Sequence, residues 1–135
     1  MTVVDTSVWV DFRRGIYSDQ TNWLLENMGD PTISLMDVTL CEVLQGESTD
    51  ATFEDARRAL VQLAVHSTSG IELAVDSAVH YRILRRRGIT IRSTIDCLIA
   101  TFCIRGGHFL LHNDRDFDPF EKHLGLKVIH PQAER

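Results

Sequence analysis

The chain has 135 residues, with 19 acids against 14 bases, a formal net charge of −5, and 44% hydrophobic residues. That length suits one domain, spanning 1–135, which buries roughly two-thirds of its unfolded surface and needs no disulfide framework. The composition excludes a membrane protein, a disulfide-stapled secreted mini-protein and a disordered tail, and the excess of acid argues on its face against a nucleic-acid binder.

The first predicted element is Thr2-Val-Val-Asp5, a short β-branched run ending in an acid, as a buried strand does when it reaches its end. The N-terminus has no basic stretch of the kind that opens a secretion signal, and no apolar run approaches the ~18 residues that span a bilayer. Asp19 to Met28 reads as a helix with Trp23, Leu24 and Met28 on one side, stopped by Gly29. Pro31 to Leu35 is a second strand, and Val38 to Gln45 a helix closed by Gly46. Residues 47–52 are a polar loop; from Phe53 the apolar positions Ala56, Leu60, Leu63 and Ala64 follow helical spacing. Ser67 to Gly70 is a turn, and Ile71 to Val75 fits either a strand or the start of a helix. Ser77 to Arg87 is helical up to Gly88.

Ser93 opens the next helix, with Ile95, Leu98, Ile99 and Phe102 as its predicted buried stripe, ending at Gly106-Gly107. His108 to Leu111 and Lys127 to His130 are strands, joined by a loop from Asn113 into a short helix. Strands alternating with helices in this rhythm predict an α/β domain with a small central parallel sheet flanked by helices on both faces. Cys41, Cys97 and Cys103 sit among apolar neighbours without zinc-ligand spacing, so they read as reduced core thiols of a cytoplasmic protein.

Five acids stand apart from the solvated ones. Asp5 ends the first strand, Glu42 lies among Leu40, Cys41, Val43 and Leu44, Asp96 opens a helix, and Asp114 and Asp116 follow a strand. Ligand crevices of parallel sheets lie beyond the carboxyl ends of the strands, so these segments bring acids to one edge. Like charges about 4 Å apart repel by roughly 4 kcal/mol at an effective dielectric of about 20. Either some of the acids hold protons, or a divalent cation sits among them. An all-oxygen donor set selects Mg²⁺ or Mn²⁺, ions suited to phosphodiester hydrolysis. Each acid also has an ordinary explanation: Ser93 and Asp96 match a capping box, Glu42 fits an exposed helix face, and Asp114 and Asp116 fit a turn before Pro119.

Val4-Asp-Thr-Ser-Val-Trp-Val-Asp11, Glu42-Val-Leu-Gln-Gly46, Thr94-Ile-Asp-Cys-Leu-Ile-Ala100 and Asn113-Asp-Arg-Asp-Phe117 together resemble the signature segments of PIN-domain ribonucleases. More narrowly they resemble VapC toxins of bacterial toxin–antitoxin pairs. The resemblance implies a single PIN domain and a Mg²⁺- or Mn²⁺-dependent endoribonuclease. It further implies a homodimer and inhibition by a VapB-type antitoxin. Asp5, Glu42, Asp96 and Asp114 then correspond to the family's acidic quartet, and Asp116 to a frequent fifth acid. Thr6 or Ser7 matches the hydroxyl beside the first acid, and Asn113 supports the last acids. A PIN-like binding or regulatory module without catalysis is the alternative. A phospho-receiver is a poor fit, because the only lysines, Lys122 and Lys127, come late.

Setting the five acids aside leaves 14 acids against 14 bases. Arg82, Arg85, Arg86, Arg87 and Arg92 cluster before the Asp96 helix, where they serve RNA, the antitoxin or a dimer partner, or form a solvated helix end. Trp9 and Phe12 are expected in the core or a dimer interface, and His112 at a strand end beside the site.

Overall fold

In the computed structural model, residues 1–68 and 70–132 are described. Five parallel strands form one sheet in the order β3-β2-β1-β4-β5: β1 (Thr2–Val4), β2 (Ile33–Met36), β3 (Ala64–His66), β4 (Phe109–Leu111) and β5 (Lys127–Val128). The chain winds outward from β1 in one direction through β2 and β3, then crosses back to place β4 on the other side of β1. That reversal makes the gap between the ends of β1 and β4 a topological switch point, where the helices leaving the two strands diverge and open a crevice.

Period-2 alternation sorts the core into two layers. Val3, Met36 and Leu110 point to one face and pack under α5 (Ile71–Arg86), α6 (Thr94–Gly106) and α7 (Asp118–Leu124). Their neighbours Val4, Leu35 and Leu111, with Ile33, point to the other face. There they meet α1 (Thr6–Arg13), α2 (Asp19–Asn27), α3 (Asp37–Gln45) and α4 (Asp50–Leu60) through Val8, Trp9, Leu24, Val43 and Leu60. A strand apolar on both faces is what a helix-covered parallel sheet requires. Among the described residues no helix is long and apolar enough to cross a membrane.

Several expectations change. Residues 6–13, unassigned in the sequence, form α1: its β-branched composition is a poor helix former, but Asp5 caps it and Val8 and Trp9 are buried beneath it. Trp9 lies in the core, edge-on to Phe12 with ring centroids 6.2 Å apart. The polar loop ends at Thr49, whose hydroxyl forms a reciprocal cap with Thr52, so Asp50 to Thr52 are the first turn of α4. Leu63 and Ala64 leave that helix and lead into β3. Ile71 to Val75 is the start of α5.

The buried face of α6 runs through Cys97, Ile99, Ala100, Thr101 and Cys103, whereas Ile95, Leu98 and Phe102 are only partly buried. The helix lies between the sheet and α5 and is covered on two sides, so the strongest 3.6-residue stripe does not locate its core. Gly107 ends α6 at φ +66, a left-handed position that glycine adopts at little cost. Cys97 and Cys103 are buried thiols, and burial pushes their pKa values up to about 11 and about 12. Cys41 is exposed, against expectation, because its apolar sequence neighbours lie on the other side of α3.

Candidate active site

Asp5 leaves the end of β1 and caps α1. Its Oδ2 accepts the Ser7 N–H at 3.1 Å and the Ser7 hydroxyl at 2.8 Å. The Asp5 N–H donates to the Leu111 carbonyl at 3.0 Å, and the Asn113 N–H donates to Ser7 Oγ at 3.1 Å. The two central strands are thus stitched together where they end. Asp5 is only 3% exposed, and burial pushes its carboxyl up to about 6 against the pull of the Ser7 and Thr6 hydrogen bonds, with the Glu42 charge adding to the rise.

Glu42 approaches from α3, half-buried, and its Oε1 accepts the Thr6 hydroxyl at 2.8 Å. Both hydroxyls beside the first acid are thus engaged with carboxylates: Thr6 fixes Glu42 and Ser7 fixes Asp5. Asp96 lies in the first turn of α6. Its N–H donates to Ser93 Oγ at 3.2 Å, which is one half of the predicted capping box. Its carboxylate faces elsewhere: one oxygen each from Asp96, Asp114 and Asp116 all lie within 4.8 Å of one another. Burial pushes the Asp96 carboxyl up to about 7, with the charges of Asp5, Asp114, Glu42 and Asp116 contributing in that order. Of the five acids singled out in the sequence, Asp96, Asp114 and Asp116 form the tight cluster, while Asp5 and Glu42 lie outside it and act on Asp96 through their charge.

Beyond β4 the chain turns through a 3₁₀ turn, Arg115–Phe117, capped by Asp114, whose Oδ1 accepts the Asp116 N–H at 2.9 Å. His112 supports this turn. Its Nδ1 accepts the Asp114 N–H at 3.1 Å, and its ring lies 4.9 Å from that of Phe117. Burial lowers the His112 pKa, so the ring is neutral and carries its proton on Nε2, a buried atom with no hydrogen-bond partner among the described residues. Asn113 contributes through its backbone amide, while its exposed side chain faces the cleft.

That cleft, about 820 Å³, adjoins the acids and is lined by Gln20, Arg92, Arg115 and His130 as well as by Asp114 and Asp116. Of the five clustered arginines only Arg92 lines it, with Nε 3.8 Å from Asp116 Oδ2. Arg85 donates to the Tyr81 hydroxyl, Arg87 pairs with His123, and Arg82 and Arg86 lie exposed on α5. Gln20, Arg115 and His130 carried no signal in the sequence, because α2, the 3₁₀ turn and the segment after β5 meet only in three dimensions.

Three carboxylates this close repel by about 3 kcal/mol per charged pair at an effective dielectric of about 20, unless protons or a cation relieve them. Oxygen-only donors with adjacent solvent space suit a hard divalent ion that keeps part of its water shell. The sequence profile of the PIN domain family matches residues 2–122. VapC ribonuclease Mb1587 of Mycobacterium bovis is 33% identical over 132 residues, covering 95% of this chain and 97% of that protein. Ribonuclease VapC11 of Mycobacterium tuberculosis strain H37Rv matches with the same identity and coverage. The fold is similar to that of a chain in the crystal structure of VapBC2 from Rickettsia felis bound to a promoter DNA fragment, with a TM-score of 0.71, 19% identity and coverage of 95% and 96% of the two chains. With its five parallel strands, its acids gathered at the switch point and these relatives, the chain belongs to the PIN domain family.

Proposed function

We propose that this chain is a cytoplasmic, metal-dependent endoribonuclease, the toxin of a toxin–antitoxin pair, held inactive by a VapB-type antitoxin and working as a homodimer. The observation that carries the chemistry is the carboxylate cluster of Asp96, Asp114 and Asp116, with Asp5 and Glu42 beside it. The 33% identity to ribonuclease VapC11 supports RNA as the substrate.

Asp96, Asp114 and Asp116 would hold Mg²⁺ or Mn²⁺, with Asp5 and Glu42 completing the negative field. A hard divalent ion in such a site supplies a more acidic bound water and neutralises phosphate charge. The chain's own residues set the geometry. Ser7 keeps Asp5 in one rotamer through two hydrogen bonds. Thr6 occupies Glu42 Oε1, leaving Oε2 to take a proton from an attacking water. Arg92 and Arg115, on the cleft wall, meet the phosphates flanking the scissile bond and offset the acids there.

The test is cleavage of a structured RNA by purified protein in Mg²⁺ or EDTA, comparing wild type with Asp5→Asn and Asp96→Asn. The expected result is EDTA-sensitive cleavage that falls by about 100-fold or more in either variant. Cleavage that survives EDTA, or full activity in a folded Asp96→Asn protein, overturns the proposal.

A further inference from the structure

Part of the cleft lining serves neither the acids nor the phosphates. Gln20 comes from the first turn of α2, and Val128, Ile129 and His130 come from the end of β5 and the residues after it. None of the four is a carboxylate or a guanidinium, and the two aliphatic side chains give this wall an apolar surface. The two segments are neighbours. Asp19, next to Gln20, and Pro131, next to His130, line a second hollow together with Trp23, so Gln20 and His130 stand at the boundary between the two cavities.

The polar groups of this wall are unspent. The Gln20 side-chain amide has no hydrogen-bond partner among the described residues, so it keeps both its donors and its acceptor. Glu121 Oε2 accepts from His130 Nε2 at 2.7 Å, which fixes the ring and leaves Nδ1 as the nitrogen open to a ligand. The backbone of β5 adds a further donor and acceptor. It is the last strand of the sheet, and in a parallel ladder the bonds of Leu110 fall on either side of Val128, as the bond of 2.9 Å from the Ile129 N–H to the Leu110 carbonyl does. The N–H and C=O of Val128 itself therefore turn away from β4, to the open edge of the sheet.

A phosphodiester, which offers acceptors alone, has little use for such a surface. A nucleobase matches it: apolar on its two faces, with donors and acceptors side by side along its edge. We propose that Gln20, His130 and the outward edge of Val128 form a base-reading wall. A base flanking the scissile phosphate lies against Val128 and Ile129, and its edge is read by the Gln20 amide, His130 Nδ1 and the Val128 backbone. The inference rests on the ribonuclease of the proposed function and specifies which part of the chain reads RNA sequence. Arg92 and Arg115 position the phosphates and carry no sequence information.

The experiment is cleavage of a randomised single-stranded RNA library by the full chain in Mg²⁺, with the new 5′ ends sequenced. The quantity read is the ratio of cleavage rates between the best and the worst base at each position flanking the cut. Wild type is compared with Gln20→Ala, His130→Ala, the double variant Gln20→Ala/His130→Ala, and Arg92→Ala. Val128→Pro is added because it deletes the outward N–H, a change that edge strands tolerate. Wild type is expected to discriminate at least ~10-fold at one flanking position, and the double variant and Val128→Pro less than ~3-fold there, with each single alanine in between. Arg92→Ala should slow all sequences alike and keep the ratio within ~2-fold of wild type. Damage to the fold alone lowers every rate and keeps the ratio, so the readout is separate from stability, which thermal unfolding checks. A wild type without Mg²⁺-dependent cleavage overturns the ribonuclease and the wall together. Cleavage without base preference, a preference that survives in the double variant, or one lost in Arg92→Ala overturns the wall alone.

Discussion

Asp5→Asn in metal-free buffer tests the electrostatics of the site more sharply than any loss of activity does. The Asp5 carboxyl rises from an ordinary 3.8 to about 6, chiefly through burial. A group raised in the folded state gives stability that is complete below its unfolded pKa and is lost as pH climbs through the folded value. At 1.36 kcal/mol per unit of difference, charging Asp5 above pH 6 costs about 3 kcal/mol. Asparagine removes the charge and keeps an oxygen able to accept from Ser7, and it caps helices as well as aspartate does. Allowing about 1 kcal/mol for a poorer contact with Ser7, the variant gains about 2 kcal/mol at pH 7.5, or about 6 °C in Tm. The assay is thermal unfolding in EDTA at pH 4.5 and 7.5, repeated with Mg²⁺. Wild type is expected to lose stability between the two pH values and to recover it with Mg²⁺ at pH 7.5. The variant should be nearly flat with pH and gain less from the ion. A variant no more stable than wild type at pH 7.5, or a wild type equally stable at both pH values in EDTA, would refute the reasoning.

Asp96→Asn should behave similarly, its neutral form being favoured by burial and four nearby acids; the same EDTA melts check it, with a smaller gain because the side chain is partly solvated. Arg92→Ala removes a highly exposed cation from the cleft wall, so Tm should be unchanged while KM for RNA rises several-fold and its dependence on salt weakens, read from cleavage rates across a salt series. His112→Leu leaves the Asp114 amide without its acceptor; a loss of about 1–2 kcal/mol in denaturant unfolding is expected, with slower cleavage even at saturating RNA. Gly106→Ala would place a Cβ 2.4 Å from the His108 ring, which is held against His66 and Phe102. The clash should outweigh alanine's better helix propensity and lower stability by about 1 kcal/mol, measured by denaturant unfolding.

The acids were legible in the sequence because a carboxylate at the end of an apolar strand has few ordinary uses. Asp5 and the Asp114/Asp116 pair stood out from their neighbours alone. The sheet was legible for the same reason, through short β-branched runs closed by turns. What escaped notice was decided by tertiary contact. Residues 6–13 are helical because Val8 and Trp9 have a sheet to lie on. The face of α6 is set by α5, which arrives from another part of the chain. Arg115 and His130 line the cleft only because β5 lies beside β4. The arginine cluster illustrates the limit well: proximity to Asp96 in sequence suggested one shared surface, yet only Arg92 reaches the cleft while Arg82 and Arg86 lie along α5.

The join between β1 and β4 also bears on the order of events as the chain is made. Asp5 ends the first strand of the sheet, yet its N–H bonds to Leu111, and the Ser7 that holds its carboxylate bonds to Asn113, both more than a hundred residues further along the chain. Until β4 and the turn after it leave the ribosome, the growing chain has Asp5 but no second wall to the cleft. A nascent chain therefore has no assembled site beside the messenger and ribosome that are making it. A chain that stops short of β4 lacks Asp114 and Asp116 and so cannot assemble the carboxylate cluster.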